Sequence, residues 1–138
     1  QQTAVPFVTY TDPELAHVGL SKRQLDDDGR PYRILTMPFH DNDRAVAARQ
    51  TAGKINVFVS PKGVILGATI LGANAGELIY PWVVAIQNTL SISAIASSIA
   101  PYPTFTVISK RAAGTYYIDR IFGSRMKKIV RFLMKVRR

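Results

Sequence analysis

The apolar positions of this chain change period partway along it. In Lys54–Val59, residues Ile55, Val57 and Val59 alternate onto one face, which predicts a strand. Ser60-Pro61-Lys62-Gly63 reads as a tight hairpin turn, with proline and glycine at turn positions. Val64 to Leu71 is almost continuously apolar and predicts a central strand covered on both faces. Tyr32–Met37, rich in β-branched and aromatic residues, predicts another strand. Near the start, Val5–Tyr10 predicts a first strand with Pro6 at its beginning or on an edge. A turn at Thr11–Glu14 leads to a short extended piece, Ala16–Leu20. Beyond residue 78 the period is helical: Ile79, Trp82, Val83, Ile86 and Leu90 form one stripe of a helix running to about Leu90. Pro81 should kink that helix, and Trp82 reads as core. The pattern describes an antiparallel β-sheet with helices packed on it, an α+β fold.

Local signals refine these boundaries. Ser21 and Gln24 form a capping box for a helix to about Asp28, with Gly29 as its left-handed stop. Asn74-Ala75-Gly76-Glu77 suggests a second capping box, and Ser93 a cap for a helix over Ala94–Ser98. A further helix is expected from about Thr106 to Gly114. His40-Asp41-Asn42-Asp43 reads as a polar loop; its acids lack the glycine and terminal glutamate of a calcium loop. Gly67, Gly72 and Gly76 have neither dinucleotide-fingerprint nor P-loop spacing, and read as a tight strand-to-helix corner.

Composition narrows the function classes. The 138 residues are 47% hydrophobic, enough for one folded core and too apolar for a disordered chain. There is no cysteine, so no disulfide and no thiol redox pair. His17 and His40 stand in loop-like contexts and read as surface residues, so no metal site is expected. No apolar run is long enough to span a bilayer. The first residue, Gln1, reads as the start of a segment from a longer chain.

The net charge of +9 is concentrated at one end. Eight basic residues and no acid lie between Arg120 and Arg138, which leaves about +1 for residues 1–119. Met126, Ile129, Val130, Leu133 and Val136 repeat at helical spacing between them. The chain therefore divides into residues 1–114 and a basic amphipathic tail, 115–138. The tail's apolar stripe can pack on its own domain. Alternatively, Arg125, Lys127, Lys128, Arg131 and Lys135 can meet an anionic membrane surface. A nucleic-acid role is not expected, because no binding module or aromatic stacking platform accompanies the charge.

The remaining signal is Pro101-Tyr102-Pro103-Thr104. Two prolines brace one aromatic residue in a stiff elbow between two helical patterns, so a side chain is presented at low entropic cost. Tyr102 there reads either as a packing residue or as a ligand-facing phenol.

Three stretches carry a resemblance. They are Thr11-Asp12-Pro13-Glu14 with Ala16 and Val18-Gly19-Leu20, then Ile65–Ile79, then Tyr102-Pro103-Thr104, with Arg44-Ala45 after Pro38-Phe39 also in step. Together they resemble the C-terminal dimerisation domain of the pyridine nucleotide-disulfide oxidoreductases, over roughly Thr3 to Ala113. In that family the elbow reads His-Pro-Thr-x-Ser-Glu, the His being the active-site acid/base and the Glu its orienting partner. Here Tyr102 replaces the His and Val107 stands at the Glu position. A phenol, with a pKa near ~10, is a poor base at neutral pH.

The resemblance implies a homodimer in which Tyr102 and Pro103 lie beside the partner subunit's FAD. It implies upstream FAD and NAD(P) domains in a parent oxidoreductase, and a cytoplasmic location. It implies no catalytic residue in this segment by itself. A stand-alone module docking on anionic lipid through the tail is the alternative.

Overall fold

A computed structural model describes residues 4–122. The elements in order are β1 (Phe7–Thr9), β2 (Glu14–Gly19), α1 (Lys22–Asp27), β3 (Arg33–Pro38), a 3-10 turn (Phe39–Asp41) and α2 (Asp43–Ala47). They continue with β4 (Lys54–Val59), β5 (Ile65–Gly72), α3 (Ala75–Leu78), α4 (Tyr80–Gln87), α5 (Ile92–Ser97) and α6 (Val107–Phe122). The five strands form one antiparallel sheet in the order β1-β2-β5-β4-β3. The α+β expectation holds. The expected basic helix with Arg125, Lys127, Lys128, Arg131 and Lys135 lies outside the described residues.

The register explains the core. Ile55 pairs with Ile70, and Val57 with Ala68; Ala16 and Val18 face the same two β5 residues from the other side. Alternation puts all of these on one face, together with Leu35. That face packs against Trp82, Ile86, Ile92, Ile108, Ala112 and Tyr116 from the helices. Each large apolar side chain so buried contributes roughly 1.5–3 kcal/mol, far more than any surface ion pair. Trp82 is in the core as expected, and its indole N–H donates to Ser109 Oγ at 3.1 Å.

The opposite face is only partly covered. A register shift between Phe58 and Val59 turns Phe58 and Leu66 toward Leu25 of α1, making a small second cluster. At the other end of β5, Leu71 is exposed. The strand is thus covered on both faces only where it begins. At that end Gly67 is required for close approach, since a Cβ there would lie 2.2 Å from the Leu20 carbonyl oxygen.

Several local expectations are corrected. Asn74 is left-handed (φ 58°) and makes no side-chain cap; Glu14 Oε2 accepts from the Gly76 N–H at 2.9 Å instead. A neighbouring strand thus supplies the acid that a helix N-terminus favours. Where one helix kinked at Pro81 is expected, there are two helices: α3 ends at Leu78, and Pro81 lies in the first turn of α4. However, α4 stops at Gln87, because Thr89 turns left-handed, and Leu90 is exposed. Ser91, not Ser93, occupies the N-cap position of α5.

α6 does not stop at Gly114 but runs through it to Phe122. Mid-helix glycine costs about 1 kcal/mol. Packing beyond it outweighs that: Tyr116 is buried, its hydroxyl donates to the Pro61 carbonyl at 3.0 Å, and the Arg33 guanidinium lies 5.0 Å above its ring. His17 is not a surface residue either. It lies in β2 at 9% exposure, against Thr69 Oγ1 (2.8 Å) and the Gly19 carbonyl (3.1 Å). Burial holds its pKa below the ordinary 6.5, only partly offset by the bond to Gly19.

Candidate functional site

The elbow leaves α5 at Ser98, whose extended backbone ends the helix, and enters α6 at Val107. The Tyr102–Pro103 peptide is cis. Two bonds close the elbow on itself: Thr104 Oγ1 donates to the Pro101 carbonyl at 2.6 Å, and Lys110 Nζ to the Ser98 carbonyl at 2.6 Å. Pro101, Tyr102 and Pro103 are exposed, Tyr102 at 70%. The phenol is therefore presented to solvent, which removes the packing role for it within this chain.

A second segment fixes where the elbow stands. His40–Asp43, read above as a polar loop, lie in a 3-10 turn (Phe39–Asp41) and at the start of a helix, α2 (Asp43–Ala47). Asn42 is the N-cap of α2, accepting from Ala45 N–H at 3.0 Å through Oδ1. Its Nδ2 donates to the carbonyls of Thr104 (3.2 Å) and Phe105 (3.3 Å). At 1% exposure, this one amide satisfies a helix terminus and ties it to the elbow. Phe39 and Phe105 pack beside it, ring centroids 6.3 Å apart.

Charge collects on the same side. Arg111, from the second turn of α6, pairs with Asp43 Oδ2 at 3.3 Å and donates to the Asp41 carbonyl. The Asp43 side chain raises the Tyr102 pKa above 10.0, first as a hydrogen-bond acceptor and then through its charge, with Arg111 opposing. The phenol stays protonated at neutral pH. Val107 is half-buried at the start of α6 and has no side-chain acceptor.

Sequence reasoning located Tyr102 and Pro103 but missed Asn42, Asp43 and Arg111. A signal for Asn42 was present: Asn-Asp before Arg-Ala-Val-Ala is an N-cap followed by an acid in a first turn. Nothing local pairs Asp43 with residues 59 and 68 positions away. Among the described residues no group of three or more His, Cys, Asp or Glu could hold a metal. At the glycine corner Gly67 and Gly72 are required by close packing; a Cβ at Gly72 would lie 2.4 Å from the Phe39 ring.

An elbow braced between α5 and α6, on an antiparallel sheet of this order, matches the sequence model of the pyridine nucleotide-disulphide oxidoreductase dimerisation domain over residues 5–113. The chain belongs to this family. It is 38% identical over 118 residues to a dihydrolipoamide dehydrogenase of Chaetomium thermophilum, covering 85% of this chain and 23% of that protein. It is 39% identical over 114 residues to mitochondrial dihydrolipoyl dehydrogenase 1 of Arabidopsis thaliana, covering 82% of this chain and 22% of that protein. Among solved structures, LpdA from Mycobacterium tuberculosis superposes with a TM-score of 0.78 at 28% identity, over 84% of this chain and 26% of that one. The flavoprotein disulfide reductase RclA from Escherichia coli, as its Cu(II) complex, superposes at 0.79 and 23% identity over 83% of this chain and 26% of that one, a likeness of fold. The chain spans about a quarter of the length of the curated relatives it matches. Among the described residues no helix is long and apolar enough to cross a membrane.

Proposed function

We infer that this chain is the homodimerisation domain of an FAD- and NAD(P)-dependent disulfide oxidoreductase and completes the flavin site of its partner subunit. The observation that carries this reading is an exposed, proline-braced Tyr102. Tyr80, Val84, Leu90, Ile99 and Ile118, on the helices and their connections, are exposed as well. A second copy of the chain is the occupant that the family membership supports.

In this reading Tyr102 and Pro103 lie against the edge of the partner's flavin, and Tyr102 with Val107 replaces the His–Glu dyad. The residues fit an edge contact: the elbow offers a rigid aromatic face and no phosphate cradle, so the flavin's own binding surface belongs to the upstream domains. FAD would supply the electron-carrying chemistry there. This chain's contribution is to bind, orient and exclude water. In this reading the dimerisation unit is residues 1–114 and the basic tail 115–138; α6 spans that boundary, and Tyr116 beyond it packs in the core.

Light scattering on the chain at rising concentration tests the reading. A mass of two chains is expected; a chain that stays monomeric at the highest concentration refutes it. A second reading, favoured by the run of cations from Arg120 to Arg138, is docking of the tail on anionic lipid. Co-sedimentation with phosphatidylserine vesicles, with and without residues 120–138, tests that separately. Equal sedimentation of the two chains removes it.

A further inference from the structure

Away from the elbow, a cleft of about 370 Å³ opens between the β4–β5 turn and the connection from α1 to β3. It is lined by Arg30, Pro31, Ser60, Pro61, Lys62 and Leu66. Leu66 is its buried side, packed with Leu25 and Phe58, and Tyr32 meets the Phe58 ring edge-on at 6.0 Å. Both walls are held in place. In the turn, the Gly63 N–H donates to the Ser60 carbonyl at 2.8 Å. The Tyr116 hydroxyl of α6 donates to the Pro61 carbonyl at 3.0 Å, and the Ile92 N–H of α5 to the Gly63 carbonyl at 2.8 Å. Opposite, the Arg30 N–H donates to the Leu25 carbonyl at 3.0 Å, and Pro31 fixes its own φ. A turn anchored by two helices loses little freedom when a ligand arrives, and affinity gains from that preorganisation.

The rim carries charge. Lys62 is exposed and makes no ion pair among the described residues. The acid nearby, Asp28, is already paired with Arg30 at 3.2 Å. Ser60 Oγ accepts the Val64 N–H at 3.0 Å and keeps its own proton to give. We propose that this cleft binds an anionic amphiphile of the fatty-acid class, its chain on Leu66, Pro31 and Pro61 and its carboxylate at Lys62 and the Ser60 hydroxyl. The apolar lining gains from each methylene removed from water, and the lysine and hydroxyl supply the two kinds of donor a carboxylate takes. The net charge of +9 on the whole chain raises the concentration of anions around it. The site is separate from the elbow and does not depend on the dimer.

The test is a titration of the 138-residue chain, labelled with nitrogen-15, with decanoate below the concentration at which it forms micelles. Saturable shifts are expected in the N–H signals of Arg30, Ser60, Lys62 and Gly63. Lys62→Ala should weaken binding about fivefold, the upper range for an exposed charge pair, and Lys62→Glu should weaken it further. Lys54→Ala, at the far end of β4, should bind decanoate like the unaltered chain. Decyltrimethylammonium has the same chain length and the opposite charge, and should not saturate these signals. The proposal is overturned if decanoate moves none of them, if the cation binds as well as the anion, or if Lys62→Ala has no effect. Shifts that arise with phosphatidylserine vesicles and not with free decanoate overturn it too, because the surface then recognises a bilayer rather than a single amphiphile.

Discussion

Truncating Asn42 tests how the elbow is held. In Asn42→Ala three bonds disappear together: the cap to Ala45 N–H and the two donations to the Thr104 and Phe105 carbonyls. Loss of an N-cap side chain costs about 1 kcal/mol. The Thr104 and Phe105 carbonyls keep the Val107 and Ile108 N–H groups as donors, so each of the two lost amide bonds costs about 1 kcal/mol. The sum is about 3 kcal/mol of folding stability, or a fall of roughly 10 °C in Tm for a domain of this size. Asn42→Asp separates the contributions. It keeps the cap oxygen but turns a donor into a buried carboxylate facing two carbonyls. It should be worse than alanine at neutral pH and recover on acidification, because a protonated carboxyl can donate. Urea denaturation followed by circular dichroism gives the difference, provided the slope is unchanged. If Asn42→Ala lies within about 0.5 kcal/mol of the parent sequence, the amide does not clamp the elbow and the argument fails.

Other outcomes follow from the same structure. Tyr102→Ala should change Tm by less than about 2 °C, since the side chain is 70% exposed; a large loss of stability would place the phenol in the core. Gly67→Ala should cost about 3 kcal/mol or fail to fold, because the Leu20 backbone cannot yield to a Cβ at 2.2 Å, and a parent-like midpoint would contradict that packing. His17 should make stability depend on pH. Its folded pKa is below the unfolded value of 6.5, so the unfolded chain binds the proton more readily. Its contribution is complete above about pH 6.5 and falls away below it, until the folded pKa is passed. His17→Gln should flatten that part of the stability curve, and an unaltered slope would show that another group titrates there.

The sequence alone determined the strands, the antiparallel order of the β4–β5 hairpin, the core tryptophan, the capping box at Ser21 and the elbow with its phenol. Each rests on information within a few residues: a period of two or of 3.6, a proline, a glycine, a cap. The family resemblance was legible for the same reason, in short runs such as Tyr102-Pro103-Thr104. What tertiary structure decided is what crosses the chain. Gly114 reads as a stop, yet Tyr116 packing carries α6 past it. Asn74 reads as a cap, yet Glu14, 62 residues from Gly76, makes the bond to its N–H. His17 reads as exposed until β5 covers it. The polar run at 40–43 reads as solvated until the elbow folds onto Asn42 and α6 brings Arg111 to Asp43. A polar side chain's partner is set by whatever the fold delivers beside it, and no local pattern encodes that distance.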